Sequence, residues 1–143
     1  MLYRFGELTQ VKAEHLIRHV HDGKNALALC SEGGDVYAAL AIYDCLRTHD
    51  VSVTATGFVG SSAMLVLLGA NKRKATPNTR FMVHPVSLDS NASEAALRER
   101  DFIHSTIRNI LHERTHLNQI RAAYLMSQEN IFGVQYAKDI GLL

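Results

Sequence analysis

The chain has 143 residues, of which 47% are hydrophobic and 20% are charged, and its formal net charge is +1 at pH 7. This composition predicts one folded domain and excludes a disordered chain, and the balanced charge disfavours a nucleic-acid partner because nucleic-acid-binding domains normally carry a basic excess. The longest apolar run, 63–68, is too short to cross a bilayer and the first residues show no signal peptide, so we expect a cytoplasmic protein without a membrane partner.

Apolar patterning predicts strands that alternate with helices along the chain. Continuous apolar or β-branched runs indicate buried strands, and apolar residues at three- and four-residue spacing indicate helices. The pattern predicts strands at 2–5, 26–30, 51–56, 72–75 and 80–84, and helices at 9–21, 35–49, 61–68, 93–127 and 134–140. This alternation favours an α/β fold with a mainly parallel sheet, right-handed crossovers and flanking helices.

The longest predicted helix, 93–127, carries a narrow apolar stripe on a polar surface. The stripe consists of Ala96, Ile103, Ile107, Ile110, Leu117 and Tyr124. A helix this long and this narrowly apolar is expected to pack on something outside its own core, such as another subunit. The single domain, 1–143, then divides into a head at about 1–85 and 128–143 and a long protruding handle at about 86–127.

Ser61 is the first candidate for chemistry. It follows a β-branched strand and a glycine-bearing turn at 57–60, and it opens a helix. Such a turn lifts a hydroxyl out of the sheet and leaves backbone N–H groups free to stabilise an oxyanion. A serine in this place is also a good helix cap, and Ser62 competes for either role.

His84 is the second candidate, because it ends a predicted strand just before Pro85. A histidine at a strand end that faces a loop is well placed to act as a base toward a serine. It could equally be a hydrogen-bonded histidine at the rim of the sheet. The pair is meaningful only if the fold brings His84 to Ser61, which lies 23 residues earlier.

A competing motif lies within the long helix, where His112, Glu113 and His116 match the zinc-peptidase pattern H-E-x-x-H. On a helix the two histidines could bind zinc with Glu113 as the base, and Glu129 is the only later glutamate available as a third ligand. The longer metzincin pattern is absent, and solvated or subunit-facing histidines explain the residues more simply.

The two cysteines, Cys30 and Cys45, have no spacing typical of a metal site. We expect both to be reduced, buried and small apolar residues. No cofactor is expected from the sequence.

Four blocks together resemble the Clp protease proteolytic subunit family (peptidase S14) of the ClpP/crotonase fold. Residues 31–36 with 41–44 resemble the Gly-Gly turn and the following helix of that family, and 57–61 resemble its nucleophile turn. Residues 77–85 resemble its histidine strand, and 137–142 resemble the end of its C-terminal helix. The blocks occur in the family order and span nearly the whole chain.

The resemblance implies a serine endopeptidase that works through an acyl-enzyme. By position, Ser61 would be the nucleophile, His84 the base and Glu129 the carboxylate that orients the base. The backbone N–H groups of Gly34 and Ser62 would form the oxyanion hole.

The resemblance also implies homo-oligomeric rings, heptamers that can stack into tetradecamers, that enclose the serines and admit unfolded polypeptide. An AAA+ unfoldase is the implied partner. Three other functions stay open: a catalytically inactive ring subunit, a crotonase-type acyl-CoA enzyme with the same fold, and the zinc peptidase.

Overall fold

The computed structural model describes residues 6–143, so the strand predicted at 2–5 lies outside the described residues. The helices are α1 (Gln10–His21), α2 (Val36–Arg47), α3 (Ala63–Gly69), α4 (Glu94–Arg114), α5 (Gln119–Met126) and α6 (Val134–Asp139). The strands are β1 (Ala26–Ser31), β2 (Ser52–Gly60), β3 (Lys72–Ala75), β4 (Arg80–Val83) and β5 (Asn130–Phe132). The prediction of an α/β fold with flanking helices is confirmed.

The strands form one mainly parallel sheet in the order β1-β2-β4-β5. β2 pairs in parallel with β1, with β3 through its first residues and with β4 through its last residues. Among the strands of residues 6–143, only β5 runs antiparallel, alongside β4. The carboxyl ends of β2 and β4 therefore lie side by side, at the edge where parallel sheets usually form their sites.

Helix α3 is the most deeply buried helix and anchors the turn that precedes it. All seven of its residues are buried. It packs closely on α2 at Gly69, where an added Cβ would lie 3.0 Å from the Cα of Tyr43. Because α2 and α3 pack closely in the core, α3 is held in place. Residues 61–62, which directly precede it, are therefore held in place at one end.

The prediction of a turn at 57–60 is wrong, because β2 continues through these residues to Gly60. Its register with β1 shifts, so that Leu29 lies opposite Ala55 but Ser31 lies opposite Val59. Gly57 has a φ of +65° within this irregular segment. Gly57 allows the strand to form a bulge. The sequence pattern does not distinguish a glycine in a bulge from a glycine in a turn.

The predicted helix at 93–127 is two helices, α4 and α5. Thr115 ends α4 in extended backbone, with φ −133° and ψ −175°, and its hydroxyl accepts from the amide of Leu117. Asn118 then caps α5 by accepting from the amide of Arg121 at 2.8 Å. Thr and Asn side chains compete with the backbone for helix hydrogen bonds, which explains the break.

The apolar stripe of α4 packs partly inside the chain. Of the stripe residues, Ile103 and Ile110 are 7% and 6% exposed, whereas Tyr124, which lies on α5, is 73% exposed. Part of the stripe thus belongs to the core, which the sequence analysis did not foresee. No helix within residues 6–143 is both long and apolar enough to pass through a bilayer.

Arg73 in β3 fastens the C-terminal residues to the end of α4. Its guanidinium donates to the carbonyl of Leu142 at 2.7 Å, of Arg114 at 2.8 Å, of Gly141 at 3.2 Å and of Ala70 at 3.3 Å. The Ala70 carbonyl also accepts from Arg114 at 3.0 Å. A single Arg73 side chain thus joins three separate segments of the chain.

We predict that Arg73→Met lowers the free energy of unfolding by about 2–4 kcal/mol, because charged hydrogen bonds are lost and half-buried carbonyls lose their donor. The matched control is Lys72→Met, which removes an ion pair to Asp50 between side chains that are 63% and 74% exposed. Such exposed pairs contribute less than about 1 kcal/mol. Urea denaturation of the two variants measures the difference, and equal losses would contradict the role of Arg73.

Candidate active site

Ser61 occupies a strained position at the end of β2. It is the one non-glycine residue among 6–143 with a positive φ, +55°. Its amide donates to the carbonyl of Met82 in β4 at 2.9 Å, and α3 begins two residues later. A non-glycine residue keeps this backbone conformation only where its surroundings hold it, as in the strand-to-helix turns that carry nucleophiles.

His84 follows β4 and meets Ser61 directly. Its Nε2 lies 2.8 Å from Ser61 Oγ, and its Nδ1 lies 2.7 Å from the carbonyl oxygen of Pro85. A carbonyl can only accept a hydrogen bond, so Nδ1 carries the proton and Nε2 accepts from the serine hydroxyl. This is the tautomer that a base acting on Ser61 needs.

The pairing of β2 with β4 explains the meeting. Gly60 lies opposite Met82 in parallel register, so the next residues of both strands leave the sheet at the same edge. Twenty-three positions of sequence separate Ser61 from His84, yet the two residues emerge from neighbouring strand ends.

Glu129 lies one residue before β5, the strand next to β4, and makes no hydrogen bond with His84. β5 pairs with β4 up to Val83 opposite Asn130, and the same register continued by one residue sets His84 opposite Glu129. Directly opposite residues of an antiparallel pair present their side chains on the same face. The Glu129 side chain is exposed, however, and makes no hydrogen bond or ion pair with residues 6–143, while Pro85 holds Nδ1.

Gly34 and Ser62, the predicted oxyanion-hole residues, contact one another. The amide of Gly34 donates to Ser62 Oγ at 2.9 Å, and that hydroxyl donates back to the Gly34 carbonyl at 3.1 Å. The backbone of Gly34 packs closely against Leu8: a Cβ added at Gly34 would lie 2.3 Å from the backbone carbonyl oxygen of Leu8. The Gly34 amide therefore lies next to Ser62 and is already hydrogen-bonded to its hydroxyl.

A cavity of about 260 Å³ opens next to Ser61 and His84. Its walls are formed mainly by apolar side chains of α3 and α4: Met64, Leu65, Leu68, Ile103, Ile107 and Leu111. Lysine, arginine, aspartate and glutamate are absent from its described lining. The sequence analysis missed this wall, although the spacing of Ile103, Ile107 and Leu111 by four residues was a signal for it.

The H-E-x-x-H hypothesis fails on helix geometry. α4 ends at Arg114, so His116 does not lie one helical turn above His112. Nδ1 of His112 also contacts the carbonyl oxygen of Leu117 at 2.9 Å. Among residues 6–143, three potential metal ligands come together only at His21, Cys45 and His49, well apart from this motif in the chain.

In this α/β protein, a serine at the end of one strand thus faces a histidine at the end of the adjacent strand. A family model described as Clp protease matches residues 11–143, so the chain belongs to the Clp protease family. The expectation drawn from the four sequence blocks is thereby confirmed.

Individual relatives agree with this assignment. The chain is 33% identical over 144 residues to ATP-dependent Clp protease proteolytic subunit 3 of Streptomyces coelicolor and 31% identical over 144 residues to subunit 1 of Streptomyces avermitilis. Each alignment covers 94% of this chain and 66% of the relative, so the chain spans just under two thirds of the length of these curated relatives. A solved ClpP1 mutant from Listeria monocytogenes is similar with a TM-score of 0.89 and 25% identity, covering 99% of this chain and 88% of that chain.

We predict that Gly33→Ala disrupts the turn around Ser61. Gly33 has a φ of +103°, and an added Cβ would lie 2.9 Å from both the Gly60 oxygen and the Ser61 Cβ. Gly23→Ala is the matched control, because its φ is also positive, +85°, but an added Cβ would meet nothing within 4 Å. Both variants should lose about 1 kcal/mol of unfolding free energy to backbone strain, and Gly33→Ala about 1–3 kcal/mol more. Equal stabilities in urea denaturation would contradict the close approach.

Proposed function

We propose that this chain is a serine endopeptidase subunit of a ClpP-like, self-compartmentalising protease that cleaves unfolded proteins or peptides. The observation that supports the proposal most directly is the distance of 2.8 Å between Ser61 Oγ and His84 Nε2. A hydroxyl that donates to a neutral imidazole is the arrangement from which nucleophilic attack on a peptide carbonyl starts.

In the proposed reaction, Ser61 Oγ attacks the carbonyl carbon of the scissile peptide while its proton passes to His84 Nε2. The imidazolium then returns this proton to the leaving amine, and an ester joins the acyl group to Ser61. Water, deprotonated by His84 Nε2, then attacks the ester carbonyl carbon; the bond to Ser61 Oγ breaks, the acid product leaves, and the imidazolium returns the proton to Ser61 Oγ. Every proton passes through His84 Nε2, so one imidazole serves both halves of the cycle.

The proposed oxyanion hole consists of the amides of Gly34 and Ser62. The Gly34 amide is bonded to Ser62 Oγ in the structure, so an oxyanion has to displace that hydroxyl before it can accept from Gly34. This contact also favours the second candidate, a ring subunit that keeps the fold but has no activity. The two candidates differ in whether Ser61 reacts.

Glu129 is proposed as the carboxylate that stabilises the imidazolium. The register of β4 and β5 supports this role. Val83 lies opposite Asn130, and the next position of the antiparallel pair sets His84 opposite Glu129. The side chain would have to turn toward His84 and replace the Pro85 carbonyl at Nδ1. A carboxylate stabilises a positively charged imidazolium better than a neutral carbonyl does.

The apolar cavity supports a preference for substrates with an apolar side chain beside the scissile bond. Its described lining offers no charge to pair with a basic or acidic side chain. Burial of an apolar group against Ile103, Ile107 and Leu111 would hold the peptide next to Ser61.

Assembly into rings, heptamers that stack as tetradecamers, is proposed from the exposed apolar side chains. Phe102 and Tyr124 lie on α4 and α5 and are 62% and 73% exposed, and Ile120 is 81% exposed. Large exposed apolar side chains on α4 and α5 favour burial against another copy of the chain. A cytoplasmic location and an AAA+ unfoldase partner belong to the same proposal.

We predict that a fluorophosphonate probe labels the wild-type protein and that Ser61→Ala abolishes both the labelling and peptide cleavage. Ser62→Ala is the matched control and should be labelled at least as fast as the wild type, because it frees the Gly34 amide. Mass spectrometry of the labelled peptide identifies the modified serine.

Labelling that survives Ser61→Ala but not Ser62→Ala would assign the nucleophile to Ser62. Absence of labelling in the assembled wild-type protein would favour the inactive subunit. A crotonase-type acyl-CoA enzyme would be unaffected by Ser61→Ala.

We predict that Glu129→Gln lowers kcat for peptide cleavage between about 10²-fold and 10⁴-fold, because the imidazolium loses its carboxylate. Glu113→Gln, which changes an exposed glutamate of the H-E-x-x-H motif, should leave kcat unchanged. An unchanged kcat in Glu129→Gln would mean that the Pro85 carbonyl alone orients His84.

A further inference from the structure

Three side chains with soft or borderline metal-ligand atoms meet between α1 and α2. His21 is the last residue of α1, Cys45 lies in the last turn of α2, and His49 follows that helix after the cap residue Thr48. One ligand atom from each of the three side chains lies within 4.8 Å of the others.

The spacing of these atoms suits a tetrahedral ion. Cys45 Sγ lies 3.9 Å from His49 Nδ1. With Zn–S of about 2.3 Å and Zn–N of about 2.0–2.1 Å, a tetrahedral Zn²⁺ holds its sulfur and nitrogen ligands roughly 3.6 Å apart. An adjustment of a few tenths of an ångström would therefore bring Cys45 Sγ and His49 Nδ1 to this separation, while the His21 ligand atom, within 4.8 Å of the others, has to approach them.

The two imidazole rings lie close together, and His49 is held by hydrogen bonds. His49 Nδ1 lies 2.8 Å from the Cys45 carbonyl oxygen and 3.1 Å from Thr48 Oγ1, and the ring centroids of His21 and His49 are 5.2 Å apart. A carbonyl can only accept, so His49 Nδ1 carries a proton in its contact with the Cys45 carbonyl. A cation bound at Nδ1 would replace that proton, because metal binding releases protons from its ligands.

We propose that His21, Cys45 and His49 form a zinc-binding site that joins the carboxyl ends of α1 and α2. Two imidazoles and one thiolate form a ligand set that suits Zn²⁺, and the exposed position of His21 leaves room for water as the fourth ligand. α2 ends at Arg47, and the chain turns after it so that Cys45 Sγ and His49 Nδ1 lie 3.9 Å apart.

The zinc site is separate from the Ser61 and His84 pair. α2 begins at Val36, next to Gly34, and Cys45 lies nine residues further on, about 14 Å along the helix axis. The zinc ion would act as a cross-link between two helices and take no part in peptide cleavage. Because the three ligands come together only in the folded chain, zinc binding would stabilise that fold.

The test is a titration of reduced, metal-free, full-length protein with Co²⁺, followed by displacement with Zn²⁺. Wild-type protein is expected to bind one Co²⁺ per chain, with a near-ultraviolet sulfur-to-cobalt charge-transfer band and the visible bands of tetrahedral Co²⁺. Cys45→Ser should lose the charge-transfer band. Cys30→Ser, which changes the other cysteine of the chain, should keep it.

His21→Asn provides a second variant, because this exposed side chain can be changed without disturbing the core. It should weaken Zn²⁺ binding by at least about tenfold and abolish the rise in melting temperature that Zn²⁺ causes in the wild type. His104→Asn, on α4, controls for the loss of any histidine. The proposal is overturned if wild-type protein shows no charge-transfer band, if Cys45→Ser keeps it, or if His21→Asn binds Zn²⁺ as tightly as His104→Asn.

Discussion

The parallel pairing of β2 with β4 is the contact on which the candidate active site depends. It sets Gly60 opposite Met82, and the Ser61 amide donates to the Met82 carbonyl at 2.9 Å. These bonds hold the serine in its positive-φ conformation and deliver His84 from the next strand end at 2.8 Å. A shift in this register by one residue would turn the side chains of β4 to the other face and separate the pair.

Two polar groups that the proposed chemistry needs are satisfied by local contacts. Ser62 Oγ holds the Gly34 amide, and the Pro85 carbonyl holds His84 Nδ1. Both contacts prevent a polar group from going unpaired in the absence of substrate. The proposed nucleophile and base already contact one another, whereas the proposed oxyanion hole and carboxylate partner would have to exchange these local contacts during the reaction.

The core around α3 separates two regions with different chemistry. On one side lies an apolar cavity that ends at Ser61 and His84. His21, Cys45 and His49 lie at the far end of α2. Their potential ligand atoms meet where the carboxyl ends of α1 and α2 come together. The first region belongs to the family fold, and the second depends on particular side chains of this chain.

The sequence by itself determined the α/β fold, the order of most elements and the candidate residues Ser61 and His84, because apolar periodicity and short motifs are local properties. It did not determine the break between α4 and α5 or the short β5, since Thr115 and Asn118 act through individual side-chain hydrogen bonds. Only the tertiary structure decided that Ser61 meets His84, that Glu129 lies one residue beyond the β4–β5 pairing, and that Cys45 faces two histidines. Each of these contacts depends on strand register or helix packing between segments distant in sequence. Apolar patterning is a local property and does not predict which distant residues will meet.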